Sequence, residues 1–194
     1  MHDLKLSCQC QKVQAVIPNI KPGTGTRLIC YCADCQAFAQ YLQPEGTLLN
    51  EFGGTEVLQL APSMLRFEQG QSQLRCMRLT KKGLYRWYSA CCNTPIANTV
   101  SRKIPFVGLQ RAFIDNAQDV ELAIGPVLGS VGIDDAKPGL PNAAVMAAQK
   151  GTIKLKVILK LLQWKLLGKG RINPFYQIDG KAVIKPLVLS VNQD

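Results

Sequence analysis

Seven of the eight cysteines fall into three tight groups: Cys8-Gln9-Cys10, Cys30-Tyr31-Cys32-Ala33-Asp34-Cys35 and Cys91-Cys92-Asn93-Thr94-Pro95. This grouping constrains the fold more than any other feature, because sulfurs that share an ion dictate which segments must meet. In an extended strand, residues i and i+2 face the same side, so Cys8 and Cys10 can present two thiolates to one ion, and so can Cys30 and Cys32. The step from Cys32 to Cys35 spaces two thiolates across a tight turn. Zinc takes sulfur at about 2.3 Å and prefers four ligands in a closed structural site, whereas three ligands and an open position suit exchange or catalysis. Cys76 stands apart: it alternates with Arg75 on a strand-like run and reads as a core cysteine.

The 194 residues fit one domain or one domain with an extension, and 47% hydrophobic composition is enough to build a core, which excludes wholesale disorder. The start, Met1 to Cys8, has no basic segment followed by an apolar run, and no stretch reaches the roughly 18 apolar residues that cross a bilayer. The expectation is a soluble, cytoplasmic chain in a reducing compartment, where grouped cysteines read as metal or redox ligands before disulfides.

Short β-type runs dominate the first part: 12–17, 27–31, 55–60, 64–68, 74–79 and 84–88, separated by turn signals such as Pro22-Gly23, Gly53-Gly54 and Lys82-Gly83. A short helix is expected over 34–42, with Asp34 as its cap and Pro44 ending it. Beyond about residue 125 the character changes. A loop-rich connector leads to an Ala-rich segment, 142–150, which Gly151 should interrupt. Residues 152–167 read as an amphipathic helix, with Leu155, Ile158, Leu159, Leu162 and Leu166 on one stripe, Val157, Leu161 and Trp164 on a smaller patch, and Gly168-Lys169-Gly170 closing it. A strand-like 181–191 ends the chain. The expected division is a zinc-binding domain over 1–125 and a basic, partly helical extension over 126–194.

The cysteine groups resemble the glutathione-dependent formaldehyde-activating enzyme family, which includes centromere protein V. That family carries Cys-x-Cys-Gly-x-Val, then Cys-x-Cys-x-x-Cys, then an aromatic residue followed by Cys-x-x-Cys-Gly-Ser/Thr-Pro. Here Cys8-Gln9-Cys10-Gln11-Lys12-Val13 follows the first element with Gln11 for Gly, and Cys30, Cys32 and Cys35 match the second in full. The stretch from Arg86 to Ile96 follows the third imperfectly: Ser89 stands where a cysteine is expected, Cys91 lies beside Cys92, and Asn93 replaces Gly. The resemblance spans roughly residues 5–115. It implies a mainly β fold, Mss4-like, of coiled antiparallel sheets with two zinc sites. It also implies a structural zinc on Cys8, Cys10 and Cys92 plus one more ligand, with Cys91, His2 or water as the alternatives. A second zinc on Cys30, Cys32 and Cys35 would keep an open position beside a glutathione pocket. The activity implied is a carbon–sulfur lyase acting on a glutathione–aldehyde adduct, with Cys30, Cys32 and Cys35 as its working residues.

The formal charge of +10 is unevenly spread: residues 1–149 carry +3, while residues 150–194 hold nine basic and two acidic side chains, net +7. No zinc-finger spacing, helix-turn-helix or RNA-recognition signature accompanies it, and the pairs Lys81-Lys82 and Arg102-Lys103 read as solvated turn residues. The simpler reading of the 152–167 helix packs its leucine stripe on the β-domain with lysines in water. The other reading places it on a membrane surface or a partner's groove. The competing function is accordingly a non-catalytic zinc module whose basic extension binds a partner, nucleic acid or a membrane surface.

Overall fold

The computed structural model describes residues 2–42, 48–115 and 120–189, the side chains of His2 and Ala148 excepted. The fold is mainly β, with a short helix early in the chain and a long helix toward its end. Strands β1 (His2–Ser7), β2 (Gln14–Ile20) and β5 (Arg66–Gln69) form a small antiparallel sheet in the order β1-β2-β5. The larger sheet holds β3 (Thr26–Cys30), β4 (Thr55–Leu60), β6 (Leu74–Arg78), β7 (Tyr85–Ser89), β8 (Pro95–Thr99), β9 (Val107–Gln110), β10 (Ser130–Val131) and β11 (Leu187–Val188). Its order is β10-β3-β4-β9-β8-β7-β6-β11. The six inner strands pair antiparallel, whereas the short edge strands β10 and β11 pair parallel, to β3 and β6.

One core draws on both sheets: Leu4, Leu6 and Ile17 from the small sheet pack with Leu58, Trp87 and Leu109 from the large one. In β1 the alternation is clean, with Leu4 and Leu6 buried and Asp3 and Lys5 exposed. The six expected β runs correspond to β2–β7. Strand β8 escapes a period-2 pattern because all five of its residues are buried, Asn98 and Thr99 included, so nothing alternates. Strand β9 is four residues long and contains Gly108.

Helix α1 (Ala33–Leu42) buries Cys35, Phe38 and Leu42 on one face; Pro44, its expected terminator, lies outside the described residues. The short helix α2 (Val120–Ile124) adds Val120, Ala123 and Ile124 to the core. Helix α3 runs unbroken over Ala143–Leu166, so Gly151 does not interrupt it. Gly151 lies in helical backbone with nothing within 4 Å of where a Cβ would stand; the lysine- and leucine-rich turns that follow carry the helix through its weak propensity. The end is as expected. Gly168 takes φ +65°, its N–H bonds Lys165 O and the Lys169 N–H reaches back to Trp164 O, the paired bonds of a Schellman cap.

The expected packing of α3 is overturned. Its smaller patch faces inward, with Trp164 buried and Val157 and Leu161 half-buried, and Ile153, outside the expected patch, is buried as well. The leucine stripe faces outward, each member at least half exposed. Turning the helix this way lets Ile153 pack on the edge of the sheet at Gly129. The terminal run also differs: only Leu187–Val188 is strand, and residues 190–194 lie outside the described part.

Candidate metal centres

Two groups of cysteines converge, and in each all sulfurs lie within 4.8 Å of one another. The larger group joins the β1–β2 turn to the β7–β8 turn. After Cys8 the chain makes a tight knuckle: Gln11 adopts φ +61°, its N–H bonds Cys8 O at 2.8 Å, and the Val13 N–H points at Cys8 Sγ at 3.3 Å. On the other side the β7–β8 turn closes through Asn93 at φ +53°, with Ser89 N–H on Thr94 O and Asn93 N–H on Ser89 O. The sulfur separations are 3.6 Å for Cys8–Cys10, 3.7 Å for Cys8–Cys91 and 3.9 Å for Cys91–Cys92. Four sulfurs at the zinc distance would form a tetrahedron with edges of about 3.8 Å, which these three separations match. Neighbouring cysteines reach one point because the left-handed Asn93 folds the turn back on itself. Asn is the side chain that tolerates this conformation best after Gly. Ser89 Oγ approaches Cys92 Sγ to 3.3 Å, and Thr94 Oγ1 approaches it to 3.1 Å. Burial opposes ionisation of Cys92, but those hydroxyls and the hydrogen bonds from Cys10 together outweigh it and bring the thiol down to about 6. Burial pushes Cys91 up to about 12. The side chain of His2, the other candidate ligand, lies outside the described residues.

The second group is Cys30, Cys32 and Cys35, from the end of β3 and the first turn of α1. Cys30 Sγ lies 3.3 Å from Cys32 Sγ and 3.6 Å from Cys35 Sγ. Among the described residues no fourth Cys, His, Asp or Glu joins this group. Hydrogen bonds from Cys30 and Cys35 hold the Cys32 thiol far below its ordinary value, while the same contacts push Cys30 up. The N-terminal turn of α1 adds positive potential at the same place.

Asp34 is not the helix cap. Its carboxylate meets Arg86 at 3.4 Å, and the first α1 N–H, that of Ala33, is instead accepted by Asp135 Oδ2 at 2.9 Å. Asp135 belongs to the segment after β10, which braces the triplet closely. Tyr31 N–H bonds Val131 O, Gln36 Nε2 bonds Asp135 O, and a Cβ on Gly132 would stand 2.7 Å from Cys32 N. Only glycine fits there, both for space and for its φ of +65°.

Sequence reasoning assigned no role to Arg86. This side chain is 1% exposed, with Nη1 3.8 Å from Cys35 Sγ and its guanidinium carbon 5.4 Å from the centre of the Phe38 ring. Its Nε, together with Asn98 Oδ1 and Gln110 Nε2, lacks a hydrogen-bond partner among the described residues. All three residues line a small cavity of about 10 Å³ next to Cys35. The available signal was an arginine inside an aromatic strand, Tyr85-Arg86-Trp87-Tyr88, where both faces are covered. Cys76 is buried as expected, its thiol pushed up to about 12 by burial.

A cleft of about 800 Å³ opens beside the larger group, and no member of the triplet lines it. Cys8, Thr94 and Ile29 are among its lining residues, and Glu56, Arg111 and Asp115 give it a polar lining. Glu56 pairs with Arg27 at 2.6 Å. The cleft shares Thr55, Pro95 and Leu48 with the small cavity beside Cys35. No helix among the described residues is long and apolar enough to cross a membrane.

The chain belongs to a family of unknown function (DUF6151), whose family model matches residues 2–186. No curated protein matches it. A solved structure of a Rhodobacter sphaeroides protein is similar over 61% of this chain and 94% of its own, at 15% identity and a TM-score of 0.42.

Proposed function

We propose that this protein is a zinc protein with a closed structural centre on Cys8, Cys10, Cys91 and Cys92 and an open, working centre on Cys30, Cys32 and Cys35. The observation that carries the reading is the asymmetry between the groups: four sulfurs converge in one and three in the other, with no fourth donor among the described residues. The chemistry is that of the resembling formaldehyde-activating family, a carbon–sulfur lyase reaction on a glutathione–aldehyde adduct. In the forward addition the glutathione sulfur bonds to the carbonyl carbon, the carbonyl π bond opens, and the thiol proton ends on the new hydroxyl oxygen. The reverse breaks that carbon–sulfur bond, and neither direction needs an electron acceptor. When bound, zinc supplies Lewis-acid polarisation and stabilises a thiolate. The chain's own contribution is to gather three sulfurs, hold them against Arg86, and offer a peptide-sized polar cleft beside β3. Cleft volumes of a few hundred to about a thousand cubic ångströms are usual for small ligands. The setting that goes with this reading is cytoplasmic and reducing, where the cysteines would stay available as ligands.

The test is a direct assay of formaldehyde with glutathione, following S-hydroxymethylglutathione, together with metal analysis. Activity in the wild type, abolished by Cys30→Ser without loss of fold, supports the enzyme. Zinc well below one ion per chain sinks the metal reading altogether. The tight seat of Gly132 on Cys32 favours a second reading, a non-catalytic module in which the triplet holds its ion structurally. Unfolding of Cys30→Ser, with no turnover in the wild type, would select it.

A further inference from the structure

Helix α3 presents its apolar ridge to solvent. Leu155, Ile158, Leu159 and Leu162 are 50–56% exposed and Leu166 is 88% exposed. At helical spacing they form one stripe over three turns, too long to be a scatter of surface leucines. The helix carries five lysines and no acid, and they divide by position. Lys150 pairs with Asp134 at 2.6 Å. Lys160 turns inward, donating to Gly23 O at 2.7 Å beside the Trp164 ring. Lys154, Lys156 and Lys165 are exposed on the two margins of the ridge, and none is ion-paired among the described residues.

We propose that α3 seats this protein on an anionic bilayer surface, its leucine ridge lying in the boundary between headgroups and acyl chains and its marginal lysines meeting lipid phosphates. An apolar stripe with cations along both borders is what an interfacial helix requires, and α3 is not a spanning helix. A second copy is a poor occupant: pairing ridge to ridge would bring the marginal lysines of both chains together with no acid on either helix to meet them. The charge of the surrounding segment agrees, since residues 150–194 carry nine basic and two acidic side chains.

The experiment is flotation of the full chain with vesicles of phosphatidylcholine alone and with phosphatidylcholine and phosphatidylglycerol mixed at about seven to three. Recovery with the anionic vesicles should exceed that with neutral ones by at least about tenfold, each marginal lysine being worth roughly fivefold near an anionic surface. Leu155→Ser with Leu162→Ser should cut partitioning about tenfold or more with an unchanged melting temperature. If that variant melts early, the decision passes to Lys154→Gln with Lys156→Gln and Lys165→Gln, which should erase the preference for anionic lipid. Equal recovery from both vesicles, or wild-type binding by these variants, overturns the proposal. So does a dimer that the serine substitutions dissolve without any vesicle binding, or retention on an acidic protein in place of vesicles.

Discussion

Arg86 is a full charge inside the protein, and its surroundings say what it is for. The nearest carboxylate, Asp34, is more than half exposed and sits 3.4 Å away, too wet and too long a pair to offset burial of a guanidinium alone. The remaining compensation must come from the sulfur side, where Cys35 Sγ lies 3.8 Å from Nη1. With the proposed divalent ion bound, three thiolates would leave one net negative charge for the buried arginine to balance. Arg86→Met keeps the volume and removes the charge. It should lower metal affinity at the triplet by roughly 10–100-fold, the usual cost of losing a supporting contact to a ligand, and leave the four-cysteine centre untouched. Cobalt titration in competition with a chromophoric chelator reads this, and equal affinity would deny Arg86 the role. At the other centre, Cys8→Ser removes a sulfur that sits 1% exposed among core residues. The melting temperature should fall with it, because a closed zinc site contributes folding energy; chelation of the wild type should produce the same fall.

Elements show where sequence pattern informs and where it stops. Strands β2–β7 were legible because their apolar residues alternate and their turns carry Gly or Pro; β8 was not, because it is buried on both faces. The sulfurs were legible from spacing, yet the fourth member of the larger group depended on a turn at Asn93 that spacing alone does not fix. The bracing of the triplet by Gly132 and Asp135 joins residues about a hundred positions apart in sequence, and no local signal announces it. Helix α3 was legible in its period and its C-terminal end, but not in its start, which lies beyond Gly151 at Ala143, nor in which of its two apolar faces turns inward; the longer stripe was the natural choice and the sheet edge takes the shorter one. Gly151 supplies a test of the uninterrupted helix. A Cβ there meets nothing within 4 Å, so Gly151→Ala should stabilise the protein by about 0.5–1 kcal/mol. That corresponds to a rise in melting temperature of roughly 1–4 °C for a chain of this size. A fall would mean that the helix is broken at Gly151.

At the scale of the whole molecule, the last third of the chain returns to the β-core instead of hanging from it. β10 and β11 extend the large sheet at opposite edges. Between α3 and β11 the chain inserts Phe175, fully buried, 4.9 Å from Trp87 and 5.8 Å from Phe67 by ring centres. Next to it the Tyr176 hydroxyl lies 2.8 Å from Thr99 Oγ1, which also accepts the Trp87 indole N–H at 2.9 Å. This aromatic plug touches both sheets, since Phe67 lies on β5 and Trp87 on β7, so it fastens the strands that carry the β7–β8 cysteines to the small sheet. Phe175→Ala should therefore cost about 3–5 kcal/mol, the range for emptying a buried phenylalanine site. Denaturant unfolding with zinc in excess gives the global figure. The same variant should also lose zinc from the four-cysteine centre at lower denaturant than from the triplet, because the triplet is braced separately through β10 and Asp135. Simultaneous loss from both centres would show that the plug holds the molecule as a single cooperative unit; unchanged stability would remove the tail from the core altogether.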